Sequence, residues 1–175
     1  MRTDPATVSA LRRRAPTQRE PRPVFAALAL SLLLAASAVA APTGDTDEQA
    51  LQADADYVAG LAALKSGDTP AAVRRFQLAL RRFPEAAGLH NELGFAHRKS
   101  GQLDKAFEHY KQALAIDPRH RGAHEYIGEA YLMAGDVANA EKHLAALRSI
   151  CLVSCEELRD LRAAIEAHKA KGGKR

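Results

Sequence analysis

One pattern, written three times at a step of 34 residues, constrains this chain more than any other feature. Gly60, Gly94 and Gly128 keep the step, and so do Gly67, Gly101 and Gly135. Ala72, Ala106 and Ala140 keep it, as do Phe76, Tyr110 and Leu144, and Ala79, Ala113 and Leu147. Pro84 and Pro118 keep it once. A fixed period of this length belongs to stacked helical hairpins. Each copy alone leaves an apolar face in water, so about three copies are needed to bury one another.

The helices can be read from the spacing inside each copy. Ala72, Val73, Phe76, Ala79, Leu80 and Phe83 step by three or four, which makes one apolar helix face. Leu103, Ala106, Phe107, Tyr110, Ala113 and Leu114 repeat that face, and Val137, Ala140, Leu144 and Leu147 repeat it again. Small residues recur where two helices must approach closely, and Gly94 and Ala106 are expected to be neighbours there. The turns read Ser66-Gly67-Asp68, Ser100-Gly101-Gln102 and Ala134-Gly135-Asp136. Glycine just past a helix end supplies the left-handed residue that terminates it. Thr69-Pro70 predicts an N-cap followed by proline at the first helical position. The predicted helix pairs are 49–65 with 70–82, 85–99 with 103–116, and 119–133 with 137–149. The repeats themselves are about 53–86, 87–120 and 121–154.

At these residues the chain resembles the tetratricopeptide repeat family. The middle copy matches most fully, through Leu93-Gly94, His97, Gly101, Ala106, Tyr110, Ala113 and Pro118. The family pattern has a large residue where His90 stands and tyrosine where His97 stands. The third copy carries Ile127-Gly128, Tyr131, Ala140 and Leu144 but lacks the closing proline. The first copy is looser, with Ala59-Gly60 and Ala63. The resemblance implies an all-α, right-handed solenoid of three hairpins, and a protein- or peptide-binding scaffold without catalysis or cofactor. A final helix is expected as the terminal cap. Ser154 and Glu157 form a capping-box pattern. Leu158, Leu161 and Ile165 make its apolar stripe, while Glu156, Arg159, Asp160, Arg162 and Glu166 face away. The repeat domain with this helix spans 49–169, and the basic stretch 170–175 is expected to fray.

The N-terminal part of the chain is of another kind. Residues 1–23 are arginine-rich and proline-interrupted, and the apolar run Val24–Ala36 follows, then Ser37-Ala38-Val39-Ala40. A positive n-region, an apolar core and an Ala-x-Ala site predict a secretory signal peptide over 1–40, cut after Ala40, with a polar linker over 41–48. This places the protein in the bacterial periplasm. The competing reading keeps the run uncleaved as a short membrane anchor, the sole membrane contact expected. The sequence pI near 9.2 suggests nucleic acid at first sight. However, residues 1–40 hold six of the basic and two of the acidic residues, and the rest carries 19 of each. There is no basic stripe to neutralise a phosphate backbone, so a nucleic-acid partner is not expected.

Chemistry-bearing residues are few. No glycine-rich phosphate loop, nucleophile elbow or His-Glu-x-x-His occurs. Asp54 with Asp56 and Glu125 with Glu129 read as acids on solvated helix faces. His90 and His124 are equivalent and inter-helical. His109 and His143 are equivalent and expected on an exposed face. His120 and His124 are spaced to share a helix face and could hold a metal, although nothing clearly completes the set. Cys151 and Cys155 are the only cysteines and sit where the repeat breaks. Three readings stand: a disulfide favoured by an oxidising compartment, reduced thiols, or a metal or haem site. The last would make this a redox or metal-handling protein, the rival to a binding scaffold.

The resemblance also implies a ligand face, because the first helix of each pair lines the concave side in this family. Carried onto this sequence, that face is Tyr57, Leu61 and Leu64 from the first hairpin, Asn91, Phe95 and Arg98 from the second, and Glu125, Glu129 and Leu132 from the third. Either these residues form a peptide groove or they fill the tight inner curve of a short solenoid. Some family members hold a partner's C-terminal carboxylate with lysines, arginines and asparagines on this face. Here Tyr57, Leu61, Glu92, Gly122 and Tyr126 stand at or near those places, so that mode is expected to be absent.

Overall fold

The computed structural model describes residues 43–172, and the side chains of 48–172. The predicted signal segment over 1–40 and the last residues of the tail lie outside them. The described residues form eight helices and no strand: α1 (Thr43–Gln52), α2 (Ala55–Ser66), α3 (Thr69–Leu80), α4 (Ala87–Lys99), α5 (Leu103–Ile116), α6 (Arg121–Met133), α7 (Val137–Ile150) and α8 (Glu156–Gly172). Helices α2 to α7 are the three expected hairpins, and α8 packs on α6 and α7 as the expected cap. The architecture is an all-α solenoid of helical hairpins.

The repeated glycines do two separate jobs. Gly67, Gly101 and Gly135 adopt φ of 83°, 72° and 79°, the left-handed conformation that stops α2, α4 and α6. Gly60, Gly94 and Gly128 instead make room. A Cβ on Gly94 would stand 2.5 Å from a ring carbon of Tyr110, and a Cβ on Gly60 would strike the Phe76 ring. Thus the atoms nearest that position on the second helix are those of an aromatic ring. In the last hairpin the period predicts Leu144 above Gly128, yet the atoms found there belong to Leu161, at 2.7 Å from the Cβ position. A leucine leaves part of the space that a ring fills, and the cap helix supplies the missing volume. The three apolar clusters straddle the seams between hairpins, so each copy borrows its neighbours' side chains.

Local chemistry displaced several predicted boundaries. The expected linker 41–48 is largely helix α1, and the expected first helix 49–65 is broken at Ala53–Asp54. Asp54 is the reason: its carboxylate accepts from Asp56 N and Tyr57 N, each at 3.0 Å, and so starts a new helix. Leu51, fully buried, holds α1 against the first cluster. Asp68, not Thr69, caps α3 by accepting from Ala71 N at 2.9 Å, which leaves Pro70 at the second helical position. The Ser154 capping box does not form. Helix α8 begins at Glu156, with its first backbone bond accepted by Cys155 O, so Ser154 stands one residue too early. The tail expected to fray from residue 170 continues as helix to Gly172.

Cys151 and Cys155 are joined as a disulfide, with Cα atoms 5.9 Å apart across the turn that separates α7 from α8. The two residues inside that turn that follow Cys151, Leu152 and Val153, are almost fully exposed. No helix among the described residues is long and apolar enough to cross a membrane.

Candidate ligand-binding face

The nine predicted face residues form a lattice of three equivalent rows, each stepping by one repeat: Tyr57, Asn91 and Glu125; Leu61, Phe95 and Glu129; Leu64, Arg98 and Leu132. The structure treats the rows differently. Three members turn inward. Tyr57 and Leu64 pack on the first cluster, and Leu132 is buried in the last cluster with Leu144 and Leu161. The reason lies in the shortness of the solenoid, because the first and last hairpins must each close an end of the core. Three members come together. Arg98 pairs with Glu129 at 2.7 Å, and its guanidinium lies 5.3 Å from the ring centres of both Phe95 and Tyr126. Its Nε also donates to the Tyr110 hydroxyl at 3.3 Å. Phe95 and Tyr126 are 5.1 Å apart, centroid to centroid. Arg98 thus ties α4, α5 and α6 into one node.

The first row holds unpaired polar groups. Asn91 is buried and its Oδ1 has no hydrogen-bond partner. Glu125 is only 9% exposed, with no ion pair and no hydrogen bond to its carboxylate among the described residues. Burial, then the charges of Glu129, Asp160 and Glu157, push its carboxyl up to about 7, against the opposing pull of Arg98. The solvated acid read from the sequence is therefore a buried one, because α8 covers that side of α6. Glu92, the neighbour of Asn91, is also raised by burial. Tyr57 is pushed up to about 12, first by burial and then by Glu92 and Glu48. Leu61 stands 38% exposed beside this row. Tyr126 and Glu92 stand at places where the resemblance puts a carboxylate clamp, but neither is among the nine predicted groove residues. Their one-residue offset from Glu125 and Asn91 carried them off the strict three-or-four stripe, although each follows a chosen residue directly.

Asp54 and Asp56 are not free acids either. Arg82 reaches both, with contacts of 2.7 and 2.8 Å, and Arg75 reaches Asp56 at 3.0 Å. These ion pairs hold the start of α2 to α3 and hold both carboxyls below their usual range, Arg82 being the main cause.

The histidines depart from their predicted places. His120 caps α6, its Nδ1 accepting from Ala123 N at 3.0 Å, and so does not share a metal with His124. His109 and His143, expected on an exposed face, are half-buried. His109 meets His90 with Nδ1 to Nδ1 at 3.2 Å, and His143 meets His124 in the same way at 2.9 Å. Burial and then His90 and His97 push His109 down to about 4; burial, His124 and Lys142 do the same to His143.

Two descriptions of the tetratricopeptide repeat match the chain, over residues 57–120 and 97–165, and together they span more than half of it. The chain belongs to the tetratricopeptide repeat family. No curated protein matches it. Among solved structures it is similar to the TPR2B domain of yeast Sti1 in its Hsp70 complex, at 19% identity and a TM-score of 0.62, over 72% of this chain and 98% of that one. It is also similar to the Yersinia enterocolitica type III secretion chaperone SycD in complex with a peptide of the translocator YopD, at 23% identity and 0.58, over 73% and 95%. A third is the first repeat domain of Spaghetti (RPAP3) bound to an HSP90 peptide, at 18% identity and 0.56, over 62% and 88%. At these identities the likeness carries the fold.

Proposed function

We propose that this protein is a non-enzymatic adaptor of the bacterial envelope that holds a protein or peptide segment on the face formed by α2, α4 and α6. The observation that carries this reading is the Glu125 carboxylate on that face, in a residue 9% exposed and with no ion pair or hydrogen bond among the described residues. Buried polar groups are as a rule paired, and a lone buried acceptor costs about 1–3 kcal/mol. A lysine or arginine of a partner at Glu125 would relieve it. Phe95 and Tyr126, partly exposed, supply apolar contact beside it, and Leu61 supplies more at the α2 end. The three structural neighbours named above hold peptide or protein partners, which agrees with this use of the fold. A partner's terminal carboxylate does not suit the face, because Arg98 is already spent on Glu129 and Tyr110.

The envelope setting rests on the signal-peptide pattern of residues 1–40 and on the disulfide, which persists in oxidising compartments. The same disulfide occupies both cysteines in joining two helices, which favours a structural role over the redox or metal role considered for them.

A displayed library of random linear peptides, selected on the purified protein, tests the face. Enrichment of lysine or arginine near an apolar residue is expected, with binding lost in Glu125→Gln while circular dichroism is unchanged. Enriched peptides that bind Glu125→Gln and Phe95→Ala as well as the parent protein would place the site elsewhere.

A further inference from the structure

The middle and last hairpins each hold a histidine pair that the ligand-binding face does not use. His90 of α4 faces His109 of α5, and 34 residues on, His124 of α6 faces His143 of α7. His90 and His124 are buried, and both have the same second contact. Nε2 of His90 lies 3.1 Å from Pro84 O, and Nε2 of His124 lies 3.1 Å from Pro118 O. A carbonyl only accepts, so each Nε2 carries the ring proton and each Nδ1 keeps a lone pair. This is how metal-ligating imidazoles are oriented: one nitrogen donates to a carbonyl, and the other presents its lone pair to the ion. The opposing nitrogens, Nδ1 of His109 and of His143, stand 3.2 and 2.9 Å away. Two nitrogens bound at 2.0–2.1 Å to a tetrahedral ion lie about 3.3 Å apart, so both pairs are within about half an ångström of a chelating bite.

The geometry points to two equivalent two-histidine sites, one in each of these hairpins, for a divalent transition-metal ion that favours imidazole, such as zinc, copper or nickel. The ion replaces the proton shared between the facing nitrogens. That proton moves from Nδ1 to Nε2 of His109 or His143, both rings stay neutral, and the ion adds its own charge. Water fills the remaining positions. The first pair borders a surface cavity of about 610 Å³ lined by Glu108, Lys111 and Gln112, which gives an ion and its water a way in. His97 does not join, although its Nδ1 is buried without a partner: its ring is stacked on His109, 5.5 Å away and 5° from parallel, so the in-plane lone pairs of the two rings run side by side. Among the described residues no group of three or more His, Cys, Asp or Glu converges on an ion. Each site therefore has two protein ligands, which suits an ion that exchanges. The repetition matters, because the carbonyl that fixes the tautomer comes each time from the proline that closes the preceding repeat. The two sites follow from the period itself and owe nothing to Cys151 and Cys155.

The test uses the full chain without an affinity tag, titrated calorimetrically with zinc, copper or nickel chloride. Each site is removed by His109→Gln or His143→Gln. A glutamine amide still donates to the waiting Nδ1 but offers no imidazole. The expected uptake is two equivalents for the parent, one for each single variant and none at these positions for the double variant. The copper(II) form should show coupling to two nitrogens per ion by electron paramagnetic resonance. A parent protein that takes up no metal from a large excess, or a double variant that binds as the parent does, overturns the assignment. If the glutamine variants do not fold, the melting temperature of the parent decides. A rise on adding zinc supports the sites, and an unchanged value with zinc, copper and nickel refutes them.

Discussion

Replacing Glu125 by glutamine should make the fold more stable at high pH and leave it nearly unchanged at low pH. The carboxyl sits at about 7 in the fold, raised by burial and by Glu129, Asp160 and Glu157, against a usual value of 4.5. A raised acid binds its proton more tightly when folded, so its contribution to stability is fully present below 4.5 and is lost as pH rises through 7. The difference between the two values makes the ionised form costlier in the fold by about 2 kcal/mol at pH 6 and about 3 kcal/mol at pH 8. Glutamine has nearly the same shape and no charge, so Glu125→Gln removes this cost. Urea unfolding of both proteins from pH 4.5 to 8.5 reads it directly. The stability difference should be within a few tenths of a kcal/mol at the acid end, since little of the carboxyl is ionised in the fold there and about half in the unfolded chain, and should widen steadily in favour of the variant up to pH 8. A difference that stays flat across the range would mean that Glu125 ionises as a solvated acid, and the case for an unspent buried carboxylate would go with it. The same variant is expected to lose its peptide, so stability and binding move in opposite directions at one residue, as they do at functional sites.

Gly94→Ala should cost about 1–3 kcal/mol by driving a Cβ into the Tyr110 ring, whereas Gly88→Ala, which meets nothing within 4 Å, should stabilise α4 by up to about 1 kcal/mol; thermal melts of the two separate close approach from mere glycine content, and equal effects would refute it. Changing both Cys151 and Cys155 to alanine should lower stability by about 2 kcal/mol, since the loop they close is short, with helicity unchanged by circular dichroism; an unaltered melting temperature would deny the disulfide a role in holding α8. N-terminal sequencing of the protein from its native host should begin at Ala41; a chain that retains Val24–Ala36 would make it membrane-anchored.

The period made the fold legible because it reports packing directly. A glycine 16 residues before a ring is a close approach, and it recurs only if the hairpin recurs. The three left-handed glycines were readable for the same reason. What the period could not report was anything happening once. Helix α1 is outside the repeat, and the Asp54 cap that divides it from α2 competes with an unbroken apolar pattern from Leu51 to Leu64. Leu161 over Gly128 is a contact between the repeat and the cap, with no equivalent in the other copies to suggest it. Among the predicted face residues, phase placed all nine on corresponding helices but did not weigh how the ends differ from the middle. Tyr57, Leu64 and Leu132 are drawn into the end clusters, and only the second hairpin keeps all three of its residues on the node or the row beside it. The histidine pairs were missed because their partners lie 19 residues apart on different helices, a spacing that becomes a contact only once the hairpin has formed.

The order of side chains along the first row gives the bound segment a spacing. From α2 to α6 the row runs from Tyr57 with exposed Leu61 beside it, through the amide of Asn91, to the carboxylate of Glu125. Apolar surface stands at one end and a carboxylate at the other, with a buried amide between them. Helix α4 packs on α6, and α3 stands between α2 and α4; neighbouring packed helices lie about 8–10 Å apart, so the row covers at least about 16–20 Å. An extended chain rising about 3.3 Å per residue crosses that span in five or six residues, and a helix rising 1.5 Å needs about twice as many. The proposed ligand therefore carries an apolar side chain and a lysine or arginine, at least about five residues apart if the segment is extended and about twice as many if it is helical. Peptides that place the pair at adjacent positions should bind more weakly than peptides that keep this spacing. Among selected peptides, a pairing distance scattered at random would show that the row is not read as a unit.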